Sequence, residues 1–217
     1  SGDLTQIGRD DFISTSTNKF KEDPKRAYLL SLFGYPIGKD LAYNIDLYPK
    51  ESVYQTELQQ VLNQPPKRDW LMGAVMHSRP ILLTQQGTTS YENDVLTYTN
   101  RDDLIVYGST QGILHIVRAG KNDSDSDAGK EVFAFVPSEM IESQPKAFLS
   151  EDNQISELKY GMDGQWTTYT EYVTKSTSAT NTNPTVTVEG GKQWLYGGLR
   201  MGGKSYYSLD LSGVTST

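Results

Sequence analysis

The clearest candidate for metal chemistry is Asn122-Asp123-Ser124-Asp125-Ser126-Asp127, where carboxylates alternate with small polar residues. Asp123, Asp125 and Asp127 on a short loop could wrap calcium, a hard cation that takes several oxygen ligands. The register of a helix-loop-helix calcium site is absent. Counted from Asp123, the sixth position holds Ala128 in place of Gly and the twelfth holds Ala134 in place of Glu. A solvated acidic hairpin tip is the other reading of the same residues, and both stand at this point.

Nucleophilic catalysis would need one of the two histidines, His77 or His115, beside a hydroxyl such as Ser78 or Ser109 and a carboxylate such as Asp103. No G-x-S-x-G elbow occurs. His115 alternates with Ile113 and Val117, which suits a hydrogen-bonded structural residue on a strand, and His77 suits an anchor for the turn into Arg79-Pro80. Gly198, Gly203, Lys204 and Ser205 satisfy the bare spacing of a phosphate loop. The chain then continues as the alternating run Tyr206-Tyr207-Ser208-Leu209-Asp210, and without a helix N-terminus a phosphate cradle cannot form. Of the aromatic residues, Trp70, Trp166, Trp194, Tyr206 and Tyr207 are expected mostly in the core. Tyr169 and Tyr172 are better placed as a contact surface for sugars or peptides. No catalytic and no cofactor-binding residue is assigned.

The chain that positions these residues has 217 residues, 36% of them hydrophobic and 14 of them Tyr, enough for a buried core and biased toward strands. A net charge of −7 argues against nucleic acid or an anionic membrane surface as partner. The absence of Cys excludes disulfides, thiolate zinc sites and a thiol nucleophile. No apolar run is long enough to cross a bilayer. Ser1-Gly2 reads as a cloning scar or an internal start, so the chain is expected to be a piece of something longer.

Residues 1–65 read as a lead-in with short helices. One is expected over Lys25–Phe33, with Asp23 as cap, Pro24 in the first turn and Gly34 as stop; another runs from Ser52 or Thr56 to Leu62. Tyr43, Ile45 and Leu47 alternate as a strand would. Residues 66–217 read as β. Strands are expected at 70–72, 79–84, 104–107, 113–117 and 130–136, the last three forming a meander. Ser138 is placed as the cap of a short helix, and Gln193–Tyr196 opens a further strand. Residues 172–185, rich in Ser, Thr and Asn, read as a flexible loop. Tyr107-Gly108 and Tyr196-Gly197-Gly198 each precede a glycine-containing turn and a return strand, a weak internal repeat of the sort that builds propeller blades. The fold class expected is therefore all-β with minor helices, a partial β-propeller of antiparallel meander blades.

Four segments, DWLMGAVMHSRPILLTQQG (69–87), LIVYGSTQGILHIVRAG (104–120), GKEVFAFVPSEMI (129–141) and WLYGGLRMGGKSYYSLDL (194–211), resemble in the same order the propeller region of PilC/PilY-type proteins, the large tip-associated proteins of bacterial type IV pili. The resemblance implies a propeller that supports pilus assembly by opposing retraction and links the tip to host surfaces. It implies pilins or minor pilins and a host receptor as partners, an extracytoplasmic place at the cell surface or pilus tip, and no catalysis. Calcium control through an acidic propeller loop is also implied for some members. The expected length of such a propeller exceeds this chain, so open strand edges would meet the remainder of the propeller or another chain. The rival reading is a propeller enzyme of quinoprotein or glycosidase type, which would need Asp102, Asp103, Asp163 and Glu189 to converge.

Overall fold

Asn93 and Asp94 lie between two runs of strand-forming residues, and both take left-handed backbone angles (φ 50° and 61°). That is the signature of the two-residue hairpin turn whose twist matches its strands. In the computed structural model it joins β1 (Ile81–Glu92) to β2 (Val95–Gly108). The structure describes residues 4–13, 23–43, 51–67, 72–122, 124–149, 159–178, 184–212 and 214. By internal contacts the chain divides into two units, Ser1–Ala74 with Pro137–Lys159, and Val75–Val136 with Tyr160–Thr217.

The second unit is an open antiparallel sheet. After β2 come β3 (Leu114–Arg118), β4 (Glu131–Phe135), β5 (Trp166–Ser178), β6 (Thr185–Gly198) and β7 (Tyr206–Asp210), in the order β4-β3-β2-β1-β6-β5, with β7 also on β6. β6 divides its partners: Thr185–Glu189 pairs with β1, Trp194–Gly198 pairs with β7, and β5 runs along the other side. Two meanders result, β1-β2-β3-β4 and β5-β6-β7, joined through the outer halves of β1 and β6. Leu83, Leu104, Val106, Leu114 and Ile116 are buried in the first; Trp166, Leu195 and Leu209 are buried in the second. Each such side chain contributes about 1.5–3 kcal/mol by leaving water. Phe135 of the first meander meets Tyr207 of the second edge to face, with ring centroids 5.5 Å apart.

The first unit is helical: α1 (Asp10–Ile13), α2 (Arg26–Leu32), α3 (Lys39–Tyr43), α4 (Glu51–Leu62) and α5 (Ser138–Ser143), then a 3₁₀ turn over Pro145–Phe148. Lys25, and not the expected Asp23, holds the cap position of α2, with no side chain capping it and Pro24 lying before the first turn. Asp23 Oδ1 accepts the Lys25 amide (2.8 Å) just upstream, and Gly34 (φ 86°) lies just past the helix end. On α4, Tyr54, Leu58 and Leu62 recur at four-residue spacing and are buried with Leu29, Leu30, Ile37 and Phe12. The Tyr54 hydroxyl donates to Leu41 O (3.0 Å), and the Arg26 guanidinium lies over its ring. Ser31 Oγ donates to Phe148 O (2.7 Å), which fastens the 3₁₀ turn to α2.

The chain is thus mostly antiparallel sheet with few helices, as expected, and the sheet is not closed. Four further local expectations are corrected. Tyr43 ends a helix and not a strand, Ile45 and Leu47 lying outside the described residues. Met72 is not in a strand, and Trp70 and Leu71 also lie outside the described residues. Ser138 is the first residue of α5; Pro137 holds the cap position and no side chain caps the helix. Tyr172–Ser178 continues β5 and Thr185 opens β6, in place of a loop over 172–185; residues 179–183 lie outside the described set. Thr, Tyr and Val are strand formers, and β6 supplies a full ladder for them.

Candidate functional site

The segment entering β5 crosses between the β2–β3 and β6–β7 turns at backbone distance. Gly161 takes φ 60°, and a Cβ on Gly202 would fall 1.7 Å from its carbonyl oxygen. Only glycines permit that approach. The Met162 amide donates to Ser109 O (3.0 Å), and the Gly108 amide donates to the buried Ser78 Oγ (2.8 Å). Asp163 is carried into this crossing with its side chain wholly buried. His77 Nδ1 stands 2.8 Å from one carboxylate oxygen and Arg200 Nη1 3.0 Å from the other, each of these two side chains about half exposed. With both oxygens engaged, Asp163 is a clasp between three stretches of chain. His77 thus ties the turn before Arg79-Pro80 to a residue 86 positions away.

A second polar chain runs across β2, β3 and β4. Ser109 Oγ lies 3.3 Å from His115 Nε2, and His115 Nδ1 lies 2.7 Å from Glu131 Oε1. Tyr107 stacks on the imidazole at 5.0 Å. Burial first, and then the charge of Glu131, raise the Tyr107 pKa. These are the residue types of a nucleophilic triad, but Ser109 is 1% exposed and within reach of Ile113 O. Closed off from solvent in this way, the chain braces the strands. Ser109 is among the hydroxyls that the sequence singles out, whereas the carboxylate is Glu131 and not Asp103, which forks with Arg101 (3.0 Å). The signal available is register: Ala134 faces His115, and the irregularity after Ile116 lets Glu131 reach the ring.

The four carboxylates required by the enzyme reading do not share a partner. Asp102 and Asp103 are buried at the root of the β1–β2 arm, Asp163 lies in its clasp, and Glu189 pairs with Lys175 (3.1 Å). Among the described residues, no group of three or more His, Cys, Asp and Glu could hold a metal. In the acidic loop, Asp123 lies outside the described residues. Asp125 accepts the amides of Lys121 (2.8 Å) and Asp127 (3.0 Å), and Asp127 accepts Lys130 Nζ (2.6 Å). The Asp127 and Lys121 amides hold the Asp125 carboxyl below its ordinary pKa; Lys130 does the same for Asp127. As folded, this pair is spent on the loop's own donors and does not fit calcium without displacing Lys130. The Gly198–Ser205 spacing leads into β7 and not into a helix.

The exposed chemistry is aromatic. Register places Tyr169, Trp194, Tyr196 and Tyr206 on one face of β5-β6-β7: Tyr169 faces Trp194, which stacks on Tyr196 at 6.3 Å, and Tyr206 lies over Gly198. Tyr169, Tyr196 and Tyr206 are 53%, 42% and 88% exposed. Tyr169 and Tyr172 are exposed as expected. Tyr206 overturns its core assignment, because Gly198 opposite it offers no side chain to cover the ring. Trp166 is core, lying flat on Gly197.

No family model matches the chain, and no solved structure matches it. It is similar to a type IV pilus biogenesis factor PilY1 homolog of Xylella fastidiosa (strain Temecula1), with 26% identity over 156 residues. The match takes in 67% of this chain, which spans 11% of that relative's length. Among the described residues, no helix is long and apolar enough to cross a membrane. The chain is thus a mostly antiparallel β protein with a distant similarity to a type IV pilus biogenesis factor.

Proposed function

We propose that the chain is part of the β-propeller of a PilC/PilY-type pilus protein and that its two meanders are blades. It acts outside the cytoplasm, at the cell surface or pilus tip, by binding and not by catalysis. Its roles are pilus assembly, by opposing retraction, and surface or host-cell adhesion, with pilins or minor pilins and a host receptor as partners. The observation that carries this is the order of elements. The segments resembling the family fall on β1, β2–β3, β4 and β6–β7, antiparallel strands with a glycine-containing turn after β2 and another after β6, and the distant pilus-factor similarity points the same way. The contact surface in this reading is the face of Tyr169, Trp194, Tyr196 and Tyr206, since exposed rings on a rigid sheet offer stacking area at small entropic cost.

Two alleles of the parent gene test it, a deletion and a Tyr169→Ala/Tyr196→Ala/Tyr206→Ala triple variant. Deletion is expected to remove surface pili, twitching and adhesion. The triple variant, with its ladder intact, is expected to keep the sheet and lose adhesion. Unchanged piliation and adhesion on deletion would sink the proposal. Normal adhesion by the triple variant would remove the aromatic face from it.

A further inference from the structure

We infer that the outer edge of β2 is a self-association surface, on which a second copy of this chain adds its own β2 antiparallel across a two-fold axis. Among the described residues, β3 covers β2 only from Leu104 to Gly108, and no strand pairs with Val95–Thr99 on that side. Sheet edges are normally protected by charge, proline or bulges. The free edge of β5 obeys that rule: its register breaks at Glu171 and at Lys175, each charged and ion-paired to β6. Val95-Leu96-Thr97-Tyr98-Thr99 has no charge and no proline, and its pairing with β1 is regular throughout. Val95, Leu96 and Tyr98 are 56%, 51% and 57% exposed.

The hairpin fixes which groups point outward. The pair closing a two-residue turn, Glu92 with Val95, is hydrogen-bonded, and pairs then alternate. The Tyr91 amide confirms the phase by donating away from β2, to Pro184 O (3.1 Å). Leu96 and Tyr98 therefore turn their N–H and C=O groups to the open side. A two-fold axis at Thr97 sets Leu96 against Tyr98 of the second copy, and the reverse, as hydrogen-bonded pairs. Centring instead on Leu96 draws in the turn residue Asp94, and centring on Tyr98 draws in Asn100 (φ 52°); neither is extended.

The Thr97 register also continues both faces of the arm. On one face lie hydroxyls, with Ser90 and Thr97 bonded at 2.6 Å and Thr88 and Thr187 at 3.2 Å. On the other lie Leu96, Tyr98, Tyr91 and Val186. Across the axis Thr97 meets Thr97, and Leu96 meets Tyr98, an aliphatic–aromatic cross-strand pair. Nothing charged is brought together within the paired segment. This rests on edge geometry and is independent of the pilus proposal.

Sedimentation of the 217-residue chain, at concentrations up to the order of 100 μM, is expected to show a monomer–dimer equilibrium. Leu96→Pro removes an outward N–H at a position where an edge strand tolerates proline. Tyr98→Lys adds a charge to the edge. Each is expected to weaken dimerisation about tenfold or more, with the circular dichroism unchanged. In a chain without cysteine, Thr97→Cys should oxidise quickly to a covalent dimer, because Cα atoms of a non-hydrogen-bonded antiparallel pair lie about 4.5 Å apart. Ser124→Cys, on an exposed loop, should not. A monomer throughout the concentration range overturns the inference. So does a dimer that neither edge substitution weakens, or a Thr97→Cys chain that cross-links no faster than Ser124→Cys.

Discussion

Arg200 carries two opposed effects that substitution can separate. Its guanidinium holds the buried Asp163 carboxylate at 3.0 Å, while its backbone sits at φ 50°, a left-handed conformation that side chains resist. Removing one member of a fully buried ion pair costs about 3–5 kcal/mol. Here Arg200 is half exposed and His77 still engages the other oxygen, so roughly half of that, ~2 kcal/mol, is expected for Arg200→Ala. Glycine removes the same ion pair but relieves the backbone by about 1 kcal/mol, leaving a net loss of ~1 kcal/mol for Arg200→Gly. Urea unfolding monitored by the emission of Trp166, with Trp70 and Trp194 replaced by Phe, reads both. At a slope of about 2 kcal/mol/M the two variants separate by roughly 0.5 M in midpoint. If Arg200→Ala unfolds with wild type, the clasp contributes nothing. If Arg200→Gly is no more stable than Arg200→Ala, the backbone assignment is wrong.

Gly197→Ala places a methyl 2.2 Å from the Trp166 ring and is expected to destabilise the sheet by about 2–3 kcal/mol, with a red shift of tryptophan emission; a neutral effect would contradict the packing. Asp125 and Asp127 have carboxyl pKa values lowered from about 3.8, so their contribution to loop order is present above that pH and lost as pH falls through the lowered folded values. In an NMR titration, the Lys121 and Asp127 amides should report this transition, and Asp125→Asn should abolish it; a midpoint at or above the ordinary value would count against the loop geometry. Calcium is expected to compete with Lys130. Calorimetry should give at most millimolar binding, stronger in Lys130→Ala and lost in Asp125→Ala, and no heat in any of the three chains would end the calcium reading.

Legibility in the sequence tracks the strength of the inside–outside pattern. The buried strands at Leu104–Val106 and Leu114–Ile116 announce themselves by apolar runs, α2 by an apolar run closed at Gly34, and α4 by four-residue spacing. The outer part of the β1–β2 arm carries no such mark because both its faces meet solvent: Thr88, Ser90, Thr97 and Thr99 alternate with Tyr and Leu, so neither face reads as core. Asn93-Asp94 is the available signal, a two-residue turn between runs of strand formers. The end of β5 reads as a loop because Ser and Thr richness describes a hydroxyl-faced strand equally well. The polar clusters are half visible. Ser109, His77 and His115 are identifiable as chemical types, but Asp163 joins His77 and Arg200 only after the chain has folded twice between them.

The division of β6 between two partners also sets an order of events in time. The links inside each meander are local, so β2-β3-β4 and β6-β7 can form early at small loop-closure cost. The junction is not local: Gln86 finds Glu189 roughly a hundred residues later in the chain. Contacts at that separation slow folding, because the loop must close before the pairing rewards it. Until β1 and β6 meet, each holds a bare flank, and Ile81–Glu92 and Thr185–Gly198 are the stretches most at risk of pairing wrongly in crowded surroundings. Substitutions at the β1–β6 junction should therefore act on the yield and speed of folding before they act on the stability of the finished sheet.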